Sequence, residues 1–234
     1  MSVRPIPGQE HLPWAEVHLD AVDEERWREL SQAARELGKS GLQAWTTEET
    51  PEVVAFLEAR GYEEVLRYLR SELDVAAAPD PGEPVWPLTT LEARPDLLED
   101  VYRLSCETHR DLPGREDADL GPLEVWRGWH HDPHPKDAFV LALDDGELVG
   151  FGILKVEDGV GEHLMTAVAR DRRGRGIAEA IKVAHIRWAK AHGLRSLQTA
   201  NEVRIPAIRR LNERYGYEPR PAEIVLRGPL AALD

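Results

Sequence analysis

The spacing of apolar residues divides the 234-residue chain into a run of short helices and strands. From 176 onward, Ile177, Ile181, Ala184 and Trp188 recur at the spacing of one helix face, while Glu179, Lys182, His185 and Lys190 fall elsewhere. Gly193 ends that helix. Just before it, "EHLMTAVA" (162–169) alternates as a strand, with Glu162, Leu164, Thr166 and Val168 on one face and His163, Met165 and Ala167 on the other. "DAFVLALDDGELVGFGILKV" (137–156) predicts a hairpin about Asp-Asp-Gly. "RPDLLEDVYRLSCETHR" and "PLEVWRGWH" carry helical patterns upstream. Downstream, "LRSLQTA" reads as a strand and "IPAIRRLNERYG" as a short helix with Ile205, Ile208 and Leu211 inward. The predicted order is strand, two helices, a meander of strands, then helix, strand, helix, strand.

Part of this pattern occurs twice. Residues 34–62 and 189–217 align without a gap and agree at eight of 29 positions: Ala34/Ala189, Gly38/Gly193, Leu42/Leu197, Gln43/Gln198, Pro51/Pro206, Glu58/Glu213, Gly61/Gly216 and Tyr62/Tyr217. Chance at average residue usage gives roughly two. The matches fall on helix stops, a strand and a proline that opens a helix, which identifies an internal duplication. The copies are unequal. In the second, 25 positions separate Val168 from Gly193; in the first, 21 separate Val17 from Gly38, with no glycine between them. The expected organisation is a truncated domain over 1–76, a Pro-rich linker over 77–87 and a full domain over 88–234.

What the second copy adds is "RDRRGRG" (170–176), four arginines and two glycines between a strand and a helix. The chain as a whole carries a net charge of −14, with 8 Lys/Arg against 17 Asp/Glu in residues 1–80 and 21 against 26 thereafter. So acidic a chain is a poor partner for nucleic acid. The local arginine cluster suits a small anion, held by backbone N–H groups and the positive end of the helix dipole. A nucleotide-hydrolase loop is excluded because no Lys-Ser/Thr follows the last glycine, and two glycines do not make a dinucleotide fingerprint. A single cysteine, Cys106, and the lack of a signal-like or membrane-spanning apolar run point to a cytoplasmic protein.

On these residues the chain resembles the GNAT superfamily of N-acetyltransferases. "VARDRRGRGIA" is similar to the family's Gln/Arg-x-x-Gly-x-Gly/Ala loop, here Arg173, Gly176 and Ala178, and "NEVRIPAIRRLNERYGY" to its second signature. The resemblance covers about 84–228, with 11–75 resembling a degenerate half copy, a tandem layout like that of mycothiol synthase-like proteins. It implies an α/β (α+β) fold with a central, mostly antiparallel mixed sheet flanked by helices. It also implies an acetyl-coenzyme A cosubstrate and transfer of the acetyl group to an amine, of a small molecule, by direct attack in a ternary complex. No metal is implied.

The resemblance further assigns roles. Val168 would hold the thioester carbonyl through its backbone, and Thr166 with Val168 would pair with the pantetheine arm. The amides of Arg173, Gly174, Arg175, Gly176, Ile177 and Ala178 would bind the pyrophosphate, with Asn201 on the pantetheine. Glu162 is the candidate base; the alternative for it is a strand-edge carboxylate in solvent. The position of the usual tyrosine acid is Asn212, which cannot donate a proton as an acid, so it would only bind the sulfur end. Tyr215 lies one turn on, as a substitute acid or a packing residue. Trp126 and Trp129 are candidates for the acceptor pocket or for the core, and the acidic "DLPGREDAD" (111–119) would favour a cationic amine if it lines the mouth. "HHDPH" (130–134) has a metal-like composition, but its proline makes a preformed site unfavourable. The competing reading is a non-catalytic acyl-coenzyme A sensor or scaffold. In a third, the half copy completes a sheet or a homodimer interface.

Overall fold

The computed structural model describes residues 3–112, 115, 119–204 and 206–232. Ile205 and, within the acidic stretch 111–119, residues 113, 114 and 116–118 lie outside them. The elements in order are β1 (Arg4–Pro5), β2 (Trp14–His18), α1 (Glu24–Glu36), β3 (Gly41–Thr47), α2 (Pro51–Glu58) and β4 (Glu63–Asp74). They continue with β5 (Leu88–Thr90), α3 (Leu98–His109), α4 (Leu123–His130), β6 (Val140–Asp144), β7 (Glu147–Glu157) and β8 (Val160–Val168). The last are α5 (Ile177–Ala191), β9 (Ser196–Glu202), α6 (Pro206–Arg214) and β10 (Glu218–Pro229). The fold is mixed α/β, with mostly antiparallel strands flanked by helices.

Packing separates two units. The first holds residues 1–70, 201–204 and 220–234, the second 71–200 and 205–219. This division differs from the expected one at 76–87. β10 returns to pair antiparallel with β3, Glu223 opposite Thr47 through Pro229 opposite Gly41, so the C-terminal strand joins the first unit. A strand finds its partner by edge complementarity, which spacing along the chain does not reveal.

In the first unit β2 and β3 run parallel and α1 and α2 cover them, burying Val17, Leu30, Leu42, Leu57 and Ile224. The Asp23 carboxylate caps α1 by accepting the Arg26 N–H at 2.8 Å. The second unit repeats this plan with β8, α5, β9 and α6, in which β8 and β9 again run parallel. The matched residues occupy matched places. Gly38 and Gly193 both have positive φ (71° and 65°) just past a helix, where a Cβ would be strained. Pro51 and Pro206 open their helices, and Tyr62 and Tyr217 are each 3% exposed.

The strand order in the second unit is β9-β8-β7-β6-β5. The hairpin between β6 and β7 turns on Asp145 (φ 49°) and Gly146 (φ 87°), the left-handed pair that matches strand twist. Helix α3 and Trp126 of α4 pack on one face of these strands with Phe139, Phe151 and Ala167. Helix α5 covers the other face, where Ile177 and Ile181 meet Val140, Ala142 and Val149. Gly150 and Gly152 on β7 make room for it, since a Cβ on Gly152 would stand 2.3 Å from Ile181 Cγ2.

Candidate active site

The loop from β8 to α5 begins with a single 3₁₀ turn, Arg170–Arg172, and passes through Gly174 (φ 75°) and Gly176 (φ 85°). A residue with a Cβ would lose about 1–2 kcal/mol at each left-handed position. Gly176 is the N-cap of α5 and offers no side-chain acceptor, so the first-turn N–H groups are left for an external anion. The arginines are more committed than their spacing suggests. Arg170 Nε and Arg173 Nη2 both donate to the Asp111 carboxylate, at 3.1 and 2.5 Å, and Arg172 lies 3.4 Å from Asp144. Hydrogen bonds from Arg170 and then Arg173 hold the Asp111 carboxyl down to about 2. Arg173 Nε also donates to the Val168 carbonyl at 3.1 Å. Internal carboxylates thus answer part of the arginine charge, and the backbone amides carry the anion-binding character.

Beside this loop, β8 has one paired and one partly open edge. β7 pairs along its whole length, whereas the ladder with β9 covers only Val160–Glu162 against Ser196–Gln198. From His163 to Val168 the second edge continues without a paired strand among the described residues, leaving backbone groups for another extended chain.

Strict alternation fails within β8. The register with β7 shifts between Met165 and His163, where Leu164 is the extra residue of a bulge. His163 therefore shares the α5 face with Thr166 and Val168, and Glu162 lies on the opposite face with Met165 and Ala167. This reverses the expected arrangement, in which Glu162 sided with Thr166.

A second correction lies on α5. Lys182 and His185, expected off the apolar stripe, are 7% and 0% exposed. They belong to a buried polar chain that spacing did not disclose. His185 Nε2 is 3.1 Å from the Ala138 carbonyl, which can only accept, so that nitrogen carries the proton. His185 Nδ1 then accepts from His163 Nδ1 at 3.2 Å, and His163 Nε2 accepts from the Tyr217 hydroxyl at 2.6 Å. Desolvation lowers His163 well below its ordinary value and His185 to about 4, so both rings are neutral. Burial raises the Tyr217 hydroxyl. Lys182 Nζ stands 4.4 Å from the centre of the Tyr217 ring, and burial lowers its ammonium to about 7.

A family model for acetyltransferases of the GNAT family matches residues 98–217, just over half of the chain and the span from α3 to Tyr217. The chain belongs to the GNAT acetyltransferase family. Solved structures agree at the level of fold. A GCN5-related N-acetyltransferase from Sphaerobacter thermophilus is 20% identical, with TM-score 0.69 over 99% of this chain and 77% of that one. A tandem GNAT protein from the clavulanic acid biosynthesis pathway is also 20% identical, with TM-score 0.73 over 96% and 78%. A GCN5-related N-acetyltransferase from Kribbella flavida is 18% identical, with TM-score 0.56 over 94% and 82%. Among curated proteins none matches the chain.

Membership in the GNAT family implies acyl transfer from acetyl-coenzyme A. All of the other candidate residues of this GNAT chain except Asn201 lie in the second unit. Glu162 is half-exposed and lies 3.8 Å from Lys155 Nζ. Asn212 is 3% exposed on α6, and its carbonyl accepts the Tyr217 N–H at 3.1 Å. Tyr215 donates to Glu179 Oε1 at 2.9 Å, against which Arg214 also sits. Asn201, at the end of β9, is counted with the first unit. Trp126 is 1% exposed, stacks edge-on against Tyr102 and has no hydrogen-bond partner for its indole N–H among the described residues. Trp129 is 66% exposed on the same helix. Among the described residues no three His, Cys, Asp or Glu side chains are grouped to hold a metal ion, and no helix is long and apolar enough to cross a membrane.

Proposed function

We propose that this GNAT protein transfers an acetyl group from acetyl-coenzyme A to an amine of a small molecule, by direct attack in a ternary complex. The observation that carries the reading is the open edge of β8 leading into the glycine loop at the N-terminus of α5. That edge suits the extended pantetheine arm as an added strand, and the amides from Arg173 to Ala178 suit the pyrophosphate. Thr166 and Val168, next to the loop, would pair with the arm through their backbones, with Asn212 as a further cofactor contact. The thioester carbonyl, expected at Val168, would lie farther along the edge, because Val168 borders the phosphate loop and the length of the arm separates the two.

Glu162 would take a proton from the substrate ammonium, directly or through water, to free the amine that attacks. The acceptor is proposed to be cationic. An open cavity of about 580 Å³ between α3 and the β6–β7 turn is lined by Asp100, Glu107 and Glu147 against one cation, Arg103, and it reaches Ala169 at the end of β8. Trp129, exposed on α4, would wall the acceptor side, whereas Trp126, expected beside it, is buried in the core against Phe139 and Phe151 and takes the packing role instead. An assay of free thiol release from acetyl-coenzyme A over a panel of mono- and polyamines tests this function. Amine-dependent release with cationic amines preferred is expected; release by none of them despite tight binding would overturn transferase activity.

A further inference from the structure

The proton needed by the departing sulfur has no obvious source, because Asn212 occupies the place where the family resemblance puts a tyrosine. The buried cluster on α5 supplies one. The β8–β9 ladder closes at Glu162 and Gln198, so the open edge of β8 has a closed end at His163. From His163 to Val168 the edge spans about 16 Å at roughly 3.3 Å per residue. An arm whose phosphates rest on the α5 N-terminus runs along that edge toward the closed end, and its sulfur comes last. His163, Tyr217 and Lys182 gather there, on the α5 face. We propose that Lys182 is the general acid of this enzyme, giving its ammonium proton to the sulfur as the thioester breaks. This rests on the acyl-transfer reading above.

The step balances. The amine nitrogen forms its bond to the carbonyl carbon, the C–S bond breaks, and its electron pair goes to sulfur. Lys182 Nζ gives up one proton to make the thiol, and the proton lost by the amine leaves through Glu162 or water to recharge the lysine. The surroundings fit a donor. The ionisable groups facing Lys182 are His163 from β8, His185 from α5 itself and Tyr217 from the segment before β10, and none is negative at neutral pH. No carboxylate pairs with Lys182 among the described residues, so nothing holds its proton in place. An ammonium lowered to about 7 gives a proton readily to a thiolate whose conjugate acid has a pKa near 8.5. The hydrogen-bonded run from Tyr217 through His163 and His185 to the Ala138 carbonyl fixes the aromatic wall against which the ammonium lies, making both histidines positioning residues.

Lys182→Met and Lys182→Arg test the assignment, since methionine has no proton to give and arginine does not release its own. Both should bind acetyl-coenzyme A by calorimetry as the wild type does, while kcat at pH 7 falls by about 100-fold. Wild-type kcat should decline as the pH rises above about 7, and both variants should lack that limb. Without ligand, the stability of the wild type should climb relative to Lys182→Met over the same range. Unchanged kcat in the variants, or a uniform loss that keeps the descending limb, would overturn the role of Lys182 while leaving acetyl transfer intact. If the methionine variant does not fold, the arginine variant and the wild-type profile decide. Failure of the wild type to bind acetyl-coenzyme A would instead remove the acyl-transfer reading, and this role with it.

Discussion

Replacing Lys182 by methionine should make the unliganded protein more stable at neutral pH and flatten its response to pH. The folded chain lowers the ammonium from 10.5 to about 7, with desolvation as the cause. The folded state therefore binds this proton less tightly than the unfolded one, and stability rises with pH between about 7 and 10.5, staying flat below that window. Integrating the proton difference from pH 7 to pH 9 gives a gain of about 2 kcal/mol for the wild type. His163 and His185 are pushed below this range and Tyr217 above it, so the wild-type minus variant difference isolates the lysine. Methionine has nearly the volume and flexibility of the lysine stem, which keeps the packing cost small. Urea unfolding at pH 7 and pH 9 measures the effect. Identical pH responses of the two proteins would show that Lys182 keeps an ordinary ammonium despite its burial, and would refute the linkage.

Gly152→Ala places a methyl group 2.3 Å from Ile181 Cγ2 and 2.7 Å from His185 Cε1, so α5 must shift. A loss of about 1–3 kcal/mol is expected in chemical unfolding, and an unaffected protein would contradict the close approach of β7 and α5. Asp111→Asn removes the charge that engages Arg170 and Arg173. Acetyl-coenzyme A affinity should rise several-fold at low salt and converge with the wild type at high salt; a salt-independent loss would mean that Asp111 shapes the loop instead.

Much of the second unit is legible in the amino-acid sequence. The Asp-Gly hairpin, the strand–loop–helix run through 162–192 and the repeated Gly and Pro positions each depend on local geometry that a few residues dictate. What escapes such reading is non-local. The bulge at Leu164 is one extra residue in a strand whose alternation otherwise looks regular, and it exchanges the faces of Glu162 and His163. Lys182 and His185 look like the outer side of a helix, yet Tyr217 and His163, 35 and 19 residues away from Lys182, bury them. The loop arginines look free until Asp111, 59 residues before Arg170, is folded against them. β10 pairs with β3 from the far end of the chain, a partnership that hydrophobic spacing leaves undecided.

The most direct test of the acetyltransferase reading is calorimetric titration of acetyl-coenzyme A into the wild type and a Gly176→Trp variant. Gly176 opens α5 with φ 85°, and an indole there would strain the turn and cover the first-turn amides. Binding at micromolar concentrations by the wild type, lost in the variant, is expected. No binding by the wild type, or equal binding by both, would contradict the placement of the cofactor phosphates on this loop.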